Sequence, residues 1–248
     1  MKIVGIAGKK QSGKSTTANI LHGIVLKKQN LIKDFNIGND GKLIILTTDS
    51  HGEEGWGEFD IARKDSDFTE YAEHNVWPYI KLYSFADNLK SMCVEFFGLT
   101  PAQVYGTDEQ KNTETRIQWK DMPSVEDSRW MINAGAARSA NMTAREFMQY
   151  FGTNVMRQMY GPIWVGHTIH SILREQTKLA IVADVRFPNE VDAITDAGGV
   201  VVRLTRRTRK DEHPSETALD DYDFTHHVDN KGSVDALVDR VKSFYQKL

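Results

Sequence analysis

The sequence predicts an α/β fold in which a parallel sheet carries helices on both faces, with insertions between its units. Three observations predict it. Lys2-Ile3-Val4-Gly5-Ile6-Ala7 is a short, apolar, β-branched run that stops at a glycine-rich turn. Helical spacing follows at once, over residues 15–26. Further along, Leu179–Val185 is almost continuously apolar, as strands buried on both faces are, and it opens a new alternation of strand and helix.

The elements follow in order. After the first strand and helix, the apolar run 43–47 reads as a strand that ends at Thr48-Asp49-Ser50. The polar, Gly-rich stretch 51–75 reads as a long loop or insertion, and 79–84 as another strand. Over 86–97, Leu89, Met92, Cys93, Phe96 and Phe97 recur at threes and fours and predict a helix with one buried face, which makes Cys93 a core residue rather than a nucleophile. Residues 107–139 are polar, lack a sustained apolar period and hold Pro123, and are expected to form an irregular insertion over the acceptor site. Helices are expected over 143–160 and, after Gly161-Pro162, over 164–176. A strand at 179–185, a helix at 188–197, a strand at 199–204, a basic loop at 205–216, an apolar step near Val228 and a helix at 234–245 complete the chain. We expect one domain, 1–248, with insertions at about 28–78 and 107–139 and a lid loop at about 205–217.

A chain of 248 residues, 40% hydrophobic and 26% charged, can bury a substantial core without disulfides or a structural metal. Its net charge of −3 gives no reason to expect nucleic acid or an anionic membrane as partner, so phosphate binding has to be local. No run approaches the roughly 18 to 20 apolar residues that cross a bilayer. A lone cysteine and the absence of a signal-peptide pattern after Met1 predict a cytoplasmic protein.

Gly8-Lys9-Lys10-Gln11-Ser12-Gly13-Lys14-Ser15 matches G-x-x-x-x-G-K-[ST] in full, between a strand and a helix, where the chemistry requires it. Glycine lets the backbone wrap until its N–H groups converge on a phosphate, and the helix start adds the positive end of its dipole. Lys14 can then bridge the β- and γ-phosphates of ATP while the Ser15 hydroxyl ligates Mg²⁺. Gly8, Gln11, Ser12, Gly13, Lys14, Ser15 and Thr16 are the candidate ATP-binding residues, and Ser15 the candidate metal ligand. A chance match in a chain this long is about one in a hundred, and the flanking elements make it rarer still.

The loop alone leaves GTPases, motor ATPases and small-molecule kinases open. Asp229-Asn230-Lys231-Gly232 has its acid on the wrong side for a guanine-reading Asn-Lys-x-Asp signature. The strand ending at Asp184 continues into Val185-Arg186 and lacks the Asp-Glu pair of a motor, which favours a kinase.

Charges mark where an anionic acceptor would sit. Arg145, Gln149, Thr153 and Arg157 follow one another at i, i+4 and share a helix stripe, a pattern that a solvated face would show equally well. Gly152 inside that helix points to a close approach by another backbone or a ligand. Asp184 and Arg186 lie at a strand end that borders the crevice of a parallel sheet, the first to orient magnesium-bound water or the acceptor, the second to pair with a phosphate. Glu190 falls at the third position of a helix started by Pro188, where an acid is favoured by the free N–H groups alone. Arg203, Arg206, Arg207, Arg209 and Lys210 make a basic loop suited to closing over phosphates. The histidines show no metal-site spacing.

The chain resembles the phage-type deoxynucleoside monophosphate kinases. The likeness rests on the loop at 8–15, on Phe85-Ala86-Asp87-Asn88-Leu89-Lys90, on 145–153, on Trp164-Val165, on 184–190 and on His213-Pro214-Ser215-Glu216. It implies the nucleoside monophosphate kinase variant of the P-loop NTPase fold, and transfer from ATP with Mg²⁺ to a dNMP in the cytoplasm, the host's if a phage encodes it. By the same resemblance Lys90, Arg145 and Arg186 hold the acceptor phosphate, Gly152, Thr153 and Trp164 lie near its nucleoside with Gln149 and Glu190 lining the site, Arg206 closes over ATP, and Asn230 to Gly232 lie beside adenine. Lys14, Arg145, Asp184 and Arg186 are the expected catalytic set. Residues 28–76 and 107–139 depart from the pattern. Animal-type phosphomevalonate kinases resemble the region from 215 to 232, and a nucleotide-gated binding protein stays open as a reading from another class, as does assembly as a homodimer.

Overall fold

The computed structural model describes residues 1–49, 51–123, 139–206 and 217–248, and these form two compact units, Met1–Ser84 with Val165–Leu248, and Phe85–Trp164. In the first unit lie β1 (Lys2–Ala7), α1 (Lys14–Lys28), β2 (Asp34–Ile37), β3 (Leu43–Thr48), β4 (Glu54–Glu58), α2 (Ser66–Asn75) and β5 (Ile80–Tyr83). The second holds α3 (Asp87–Glu95), α4 (Pro101–Tyr105), α5 (Asp108–Lys111), β6 (Glu114–Gln118), β7 (Asn141–Thr143) and α6 (Ala144–Tyr150), then a π-helical stretch, Phe151–Met156, and a last turn, α7 (Arg157–Met159). The chain continues with α8 (Ile163–Glu175), β8 (Leu179–Val185), α9 (Pro188–Asp196), β9 (Val200–Thr205), β10 (His226–Asp229) and α10 (Val234–Gln246).

A five-stranded sheet in the order β10-β9-β1-β8-β5 organises the first unit, and every neighbouring pair in it is parallel. The alternation of strand side chains puts helices on both faces. Val4 and Ile6 point into a core shared with Ala18, Leu21 and Val25 of α1 and with Leu237 and Val241 of α10. Gly5 faces the other way, where a Cβ would stand 2.7 Å from Cδ1 of Ile194 in α9. The predicted parallel α/β architecture is therefore present.

The 51–75 stretch is not simply the long loop expected, since it holds β4 and α2. β2, β3 and β4 pair antiparallel as a second sheet, and Ile37, Leu43, Phe68, Ala72 and Val76 join the same core as β1. The reason β4 escaped notice is its composition: Glu54-Gly55-Trp56-Gly57-Glu58 is exposed throughout and shows no buried alternation. Helix α2 buries only Phe68 and Ala72, and is started by Asp65, whose carboxylate accepts from the Phe68 N–H at 3.1 Å.

The second unit has an apolar core of its own. Its core gathers Cys93, Leu99, Val104, Trp119, Met142, Phe147, Tyr150 and Phe151, with Phe147 and Phe151 stacked at 5.5 Å and Trp119 edge-on to Tyr150 at 5.9 Å. Apolar side chains from both sides of the polar stretch 107–139, with Trp119 inside it, thus build a separate apolar centre within 85–164. Of that stretch, 108–111 and 114–118 are regular, and 124–138 lie outside the described residues. Cys93 is fully buried as expected, whereas Phe96 is 66% exposed, because α3 stops at Glu95. Among the described residues no helix is long and apolar enough to cross a membrane.

Candidate functional site

β1 runs between β8 and β9, so the loop that follows Ala7 leaves the sheet at its centre, on the carboxyl side of the strands. Two residues give this loop its curvature. Gln11 and Gly13 lie in the left-handed region, at φ 62° and 98°, and Ser12 N–H donates to the Lys9 carbonyl at 3.1 Å. Gly8 has no room for a side chain, since a Cβ there would stand 2.4 Å from Ser12 Oγ. The Lys14 ammonium lies across the loop, donating to the carbonyls of Gly8 at 2.5 Å and Lys9 at 2.9 Å. Ser15 and Thr16 follow in the first turn of α1. Ser12 Oγ is buried and finds no hydrogen-bond partner among the described residues.

Three further segments meet the loop. At the end of β9, Arg206 Nη1 donates to the Gln11 carbonyl at 3.4 Å. After β10, Asn230 Nδ2 donates to the Ser12 carbonyl at 2.8 Å. Lys9 pairs at 2.8 Å with Asp220, whose other oxygen accepts from Arg203 at 3.1 Å. Beside these groups lies a cavity of about 220 Å³ whose lining includes Lys9, Ser12, Arg203, Arg206 and Lys231. Gly232 sits on the turn into α10 with the Ala236 side chain below it. A larger cavity of about 500 Å³ borders Lys27, Asp34, Phe35 and Lys242 at the far end of α1; it is remote from the loop, and its mixed charges suit no phosphate chain. Arg207, Arg209, Lys210 and the motif at 213–216 lie outside the described residues, as does most of the expected lid.

On the other flank of the loop, Ala7 pairs in register with Val185, so Asp184, one residue earlier, lies level with the end of β1 just before the loop begins. Asp184 Oδ2 accepts from Ser84 Oγ at 2.6 Å, a bond between the ends of the neighbouring strands β8 and β5. Glu190 is only 2% exposed, and its Oε2 accepts from the backbone N–H groups of Arg186 at 2.7 Å and Phe187 at 3.2 Å. Its carboxylate thereby starts α9 and shapes the turn that carries Arg186. The chemistry of the donor set fits Mg²⁺: a hydroxyl at Ser15 and a carboxylate at Asp184 are hard oxygen ligands, and this ion completes its shell with phosphate and water.

The remaining acceptor candidates belong to the second unit. Arg145 donates from Nε to Asn112 at 2.9 Å and from Nη2 to Asp108 at 2.6 Å. Lys90 lies over the Tyr105 ring, 5.3 Å from its centroid. Gly152 owes its lack of a side chain to packing, since a Cβ would stand 2.7 Å from Leu89 Cδ2. Its carbonyl accepts from the Arg157 N–H, five residues on, and from the Trp164 indole at 3.1 Å. Trp164 is buried, Gln149 half-buried and Thr153 exposed. The π stretch inserts an extra residue per turn, so the i, i+4 stripe from Arg145 to Arg157 does not stay in line.

Sequence reasoning missed Ser84 and Asp220. Ser84 carries the same signal that marked Asp184, a polar residue at the carboxyl end of a sheet strand; Asp220 carries no local signal at all.

The model of the family described as deoxynucleotide monophosphate kinase matches residues 2–241. Over 150 residues the chain is 33% identical to a candidate deoxynucleotide monophosphate kinase of Acanthamoeba polyphaga mimivirus, covering 55% of this chain and 67% of the relative. It is 30% identical over 100 residues to the deoxynucleoside-5′-monophosphate kinase of Escherichia phage T5, covering 36% and 40% of the two chains. An uncharacterised protein, ORF77, of Ictalurid herpesvirus 1 (strain Auburn) is 32% identical over 109 residues, 40% of this chain and 47% of that protein.

Proposed function

This chain belongs to the deoxynucleotide monophosphate kinase family, and from that premise we propose that it moves the γ-phosphoryl group of ATP onto a deoxynucleoside 5′-monophosphate, using the loop at 8–15 as the donor site. The loop itself carries the reading: its left-handed Gln11 and Gly13, its Lys14 ammonium turned inward and an acid, Asp184, on the strand next to the one that feeds the loop are what a triphosphate–metal complex needs. Lys14 contacts the β- and γ-phosphates, and Arg206 approaches from the β9 side. Ser15 and Asp184 would hold Mg²⁺. When bound, the ion neutralises charge on the phosphates being parted.

The second unit offers Lys90 and Arg145 for the acceptor's phosphate and Gln149, Thr153 and the buried Trp164 for its nucleoside, and Arg186 is the first unit's candidate for a phosphate. An acceptor phosphate oxygen attacks the γ-phosphorus, the bond from that phosphorus to the β–γ bridging oxygen breaks, and ADP leaves with that oxygen. No strong base is required, because a phosphate monoester with a second pKa of about 6 is already largely dianionic at neutral pH. Catalysis is alignment plus charge neutralisation. The reaction needs ATP, Mg²⁺ and the acceptor.

Coupled ADP release tests this, with ATP, Mg²⁺ and a panel of dNMPs, NMPs and mevalonate phosphate. The expected outcome is turnover with at least one dNMP, lowered by about 10²- to 10³-fold in Lys14→Ala. Turnover with mevalonate phosphate alone, or ATP binding without turnover anywhere in the panel, would sink the reading.

A further inference from the structure

The resemblance sets residues 230–232 beside adenine, yet the Asn230 side chain is committed elsewhere. It is 7% exposed, and its Nδ2 donates to the Ser12 carbonyl at 2.8 Å. A carbonyl only accepts, so the amide nitrogen must be the atom that faces it. The same nitrogen fills the space above Gly13, where a Cβ would stand 2.4 Å away. Asn230 is itself held firmly. Its backbone N–H donates to the Thr205 carbonyl at 2.8 Å, and the Asp229 carbonyl just before it accepts from Arg240 Nη1 at 2.6 Å.

The consequence lies in the geometry of one peptide. The Ser12–Gly13 bond is trans, so its C=O and N–H point in opposite directions. A Ser12 carbonyl tied back to Asn230 turns the Gly13 N–H towards the opposite side of the loop. That is the concave side, where backbone N–H groups meet a phosphate. Gly13, at φ 98° and without a side chain, could otherwise rotate this peptide at little steric cost.

We propose that Asn230 is a positioning residue for phosphoryl transfer: its amide fixes the Ser12–Gly13 peptide so that the Gly13 N–H is aimed at the donor's phosphate chain, and it does so without reading the base. The proposal rests on the loop being the donor site. Its effect is confined to ATP phosphates, and the acceptor's binding is untouched.

The test separates phosphate from base. Dissociation constants for Mg²⁺–ATP and Mg²⁺–tripolyphosphate, which has no base, are measured by calorimetry for the wild type, Asn230→Ala and Asn230→Asp. The aspartate keeps the volume but turns an acceptor towards the Ser12 carbonyl, so it gives the same comparison if the alanine variant does not fold. Both ligands are expected to weaken by the same factor, about tenfold or more, with the KM for the dNMP within about twofold of wild type. The Gly13 amide resonance, which moves when tripolyphosphate is added to the wild type, is expected to move much less in the variants. Loss of ATP affinity with tripolyphosphate unchanged would assign Asn230 to the base and overturn the proposal, as would unchanged affinity for both ligands. A wild type that binds neither would overturn the donor-site reading and this proposal together.

Discussion

Gly13 is the residue at which the loop tolerates least change. Its φ of 98° suits no β-carbon, and a methyl group there would meet the Asn230 amide. Gly13→Ala is expected to lower stability by about 1–3 kcal/mol and to abolish ATP binding, which thermal denaturation and calorimetry would read on one sample. A milder effect belongs to Ser84. Its hydroxyl holds one oxygen of Asp184, and Ser84→Ala removes that bond. We expect kcat to fall by about tenfold with the KM values nearly unchanged, as when a group that orients a metal ligand is removed; an unchanged kcat would show that Asp184 needs no such support. The two residues also mark what could be read in advance. Gly13 was legible because a phosphate-binding loop is written in eight consecutive residues, whereas the Ser84–Asp184 bond joins residues 100 apart and exists only once β5 and β8 are neighbours. Asp220, which ties Lys9 to Arg203, was hidden for the same reason.

Among the elements, the helix that begins at Ala144 departs most from its sequence pattern. Thr143 and Glu146 cap each other's N–H groups at its start, yet Phe151–Met156 widens into a π-helix. Nothing in the i, i+4 spacing announces this. Packing supplies a cause: Phe147 and Phe151 must both reach the second unit's core, while Gly152 closes on Leu89 and lends its carbonyl to Trp164. Gly152→Ala is expected to destabilise by about 1 kcal/mol, overpacking against Leu89 outweighing the better helix propensity of alanine. In a Leu89→Ala background the same change should cost less or become favourable, so a double-mutant cycle on urea midpoints should be non-additive by at least about 0.5 kcal/mol. Additive behaviour would mean that Leu89 is not what excludes a side chain at 152. Strand β4 and helix α2 were unreadable for a simpler reason, since each buries too few side chains to leave a period.

For the molecule as a whole, pH enters through His22. The imidazole is buried in α1 with Nδ1 on the Ala18 carbonyl, and burial holds its pKa down to about 4 from an ordinary 6.5. Between those two values the unfolded chain binds a proton that the folded chain refuses. Stability from this group is therefore complete above about pH 6.5 and drains away as pH falls towards 4, by roughly 3 kcal/mol in all. Urea unfolding at pH 7.5 and at pH 5 should show this loss, and His22→Gln should flatten the slope. The alternation of buried strands made the central sheet legible from sequence, but the division into two units was not, because the residues of the second core are dispersed from Cys93 to Phe151 among polar segments. That second core also contains the chain's single thiol. Cys93 is wholly buried, and burial pushes its pKa up to about 12. An alkylating reagent therefore meets a thiolate only in molecules whose second unit has opened, and the rate of mass gain in native buffer becomes a clock for that opening.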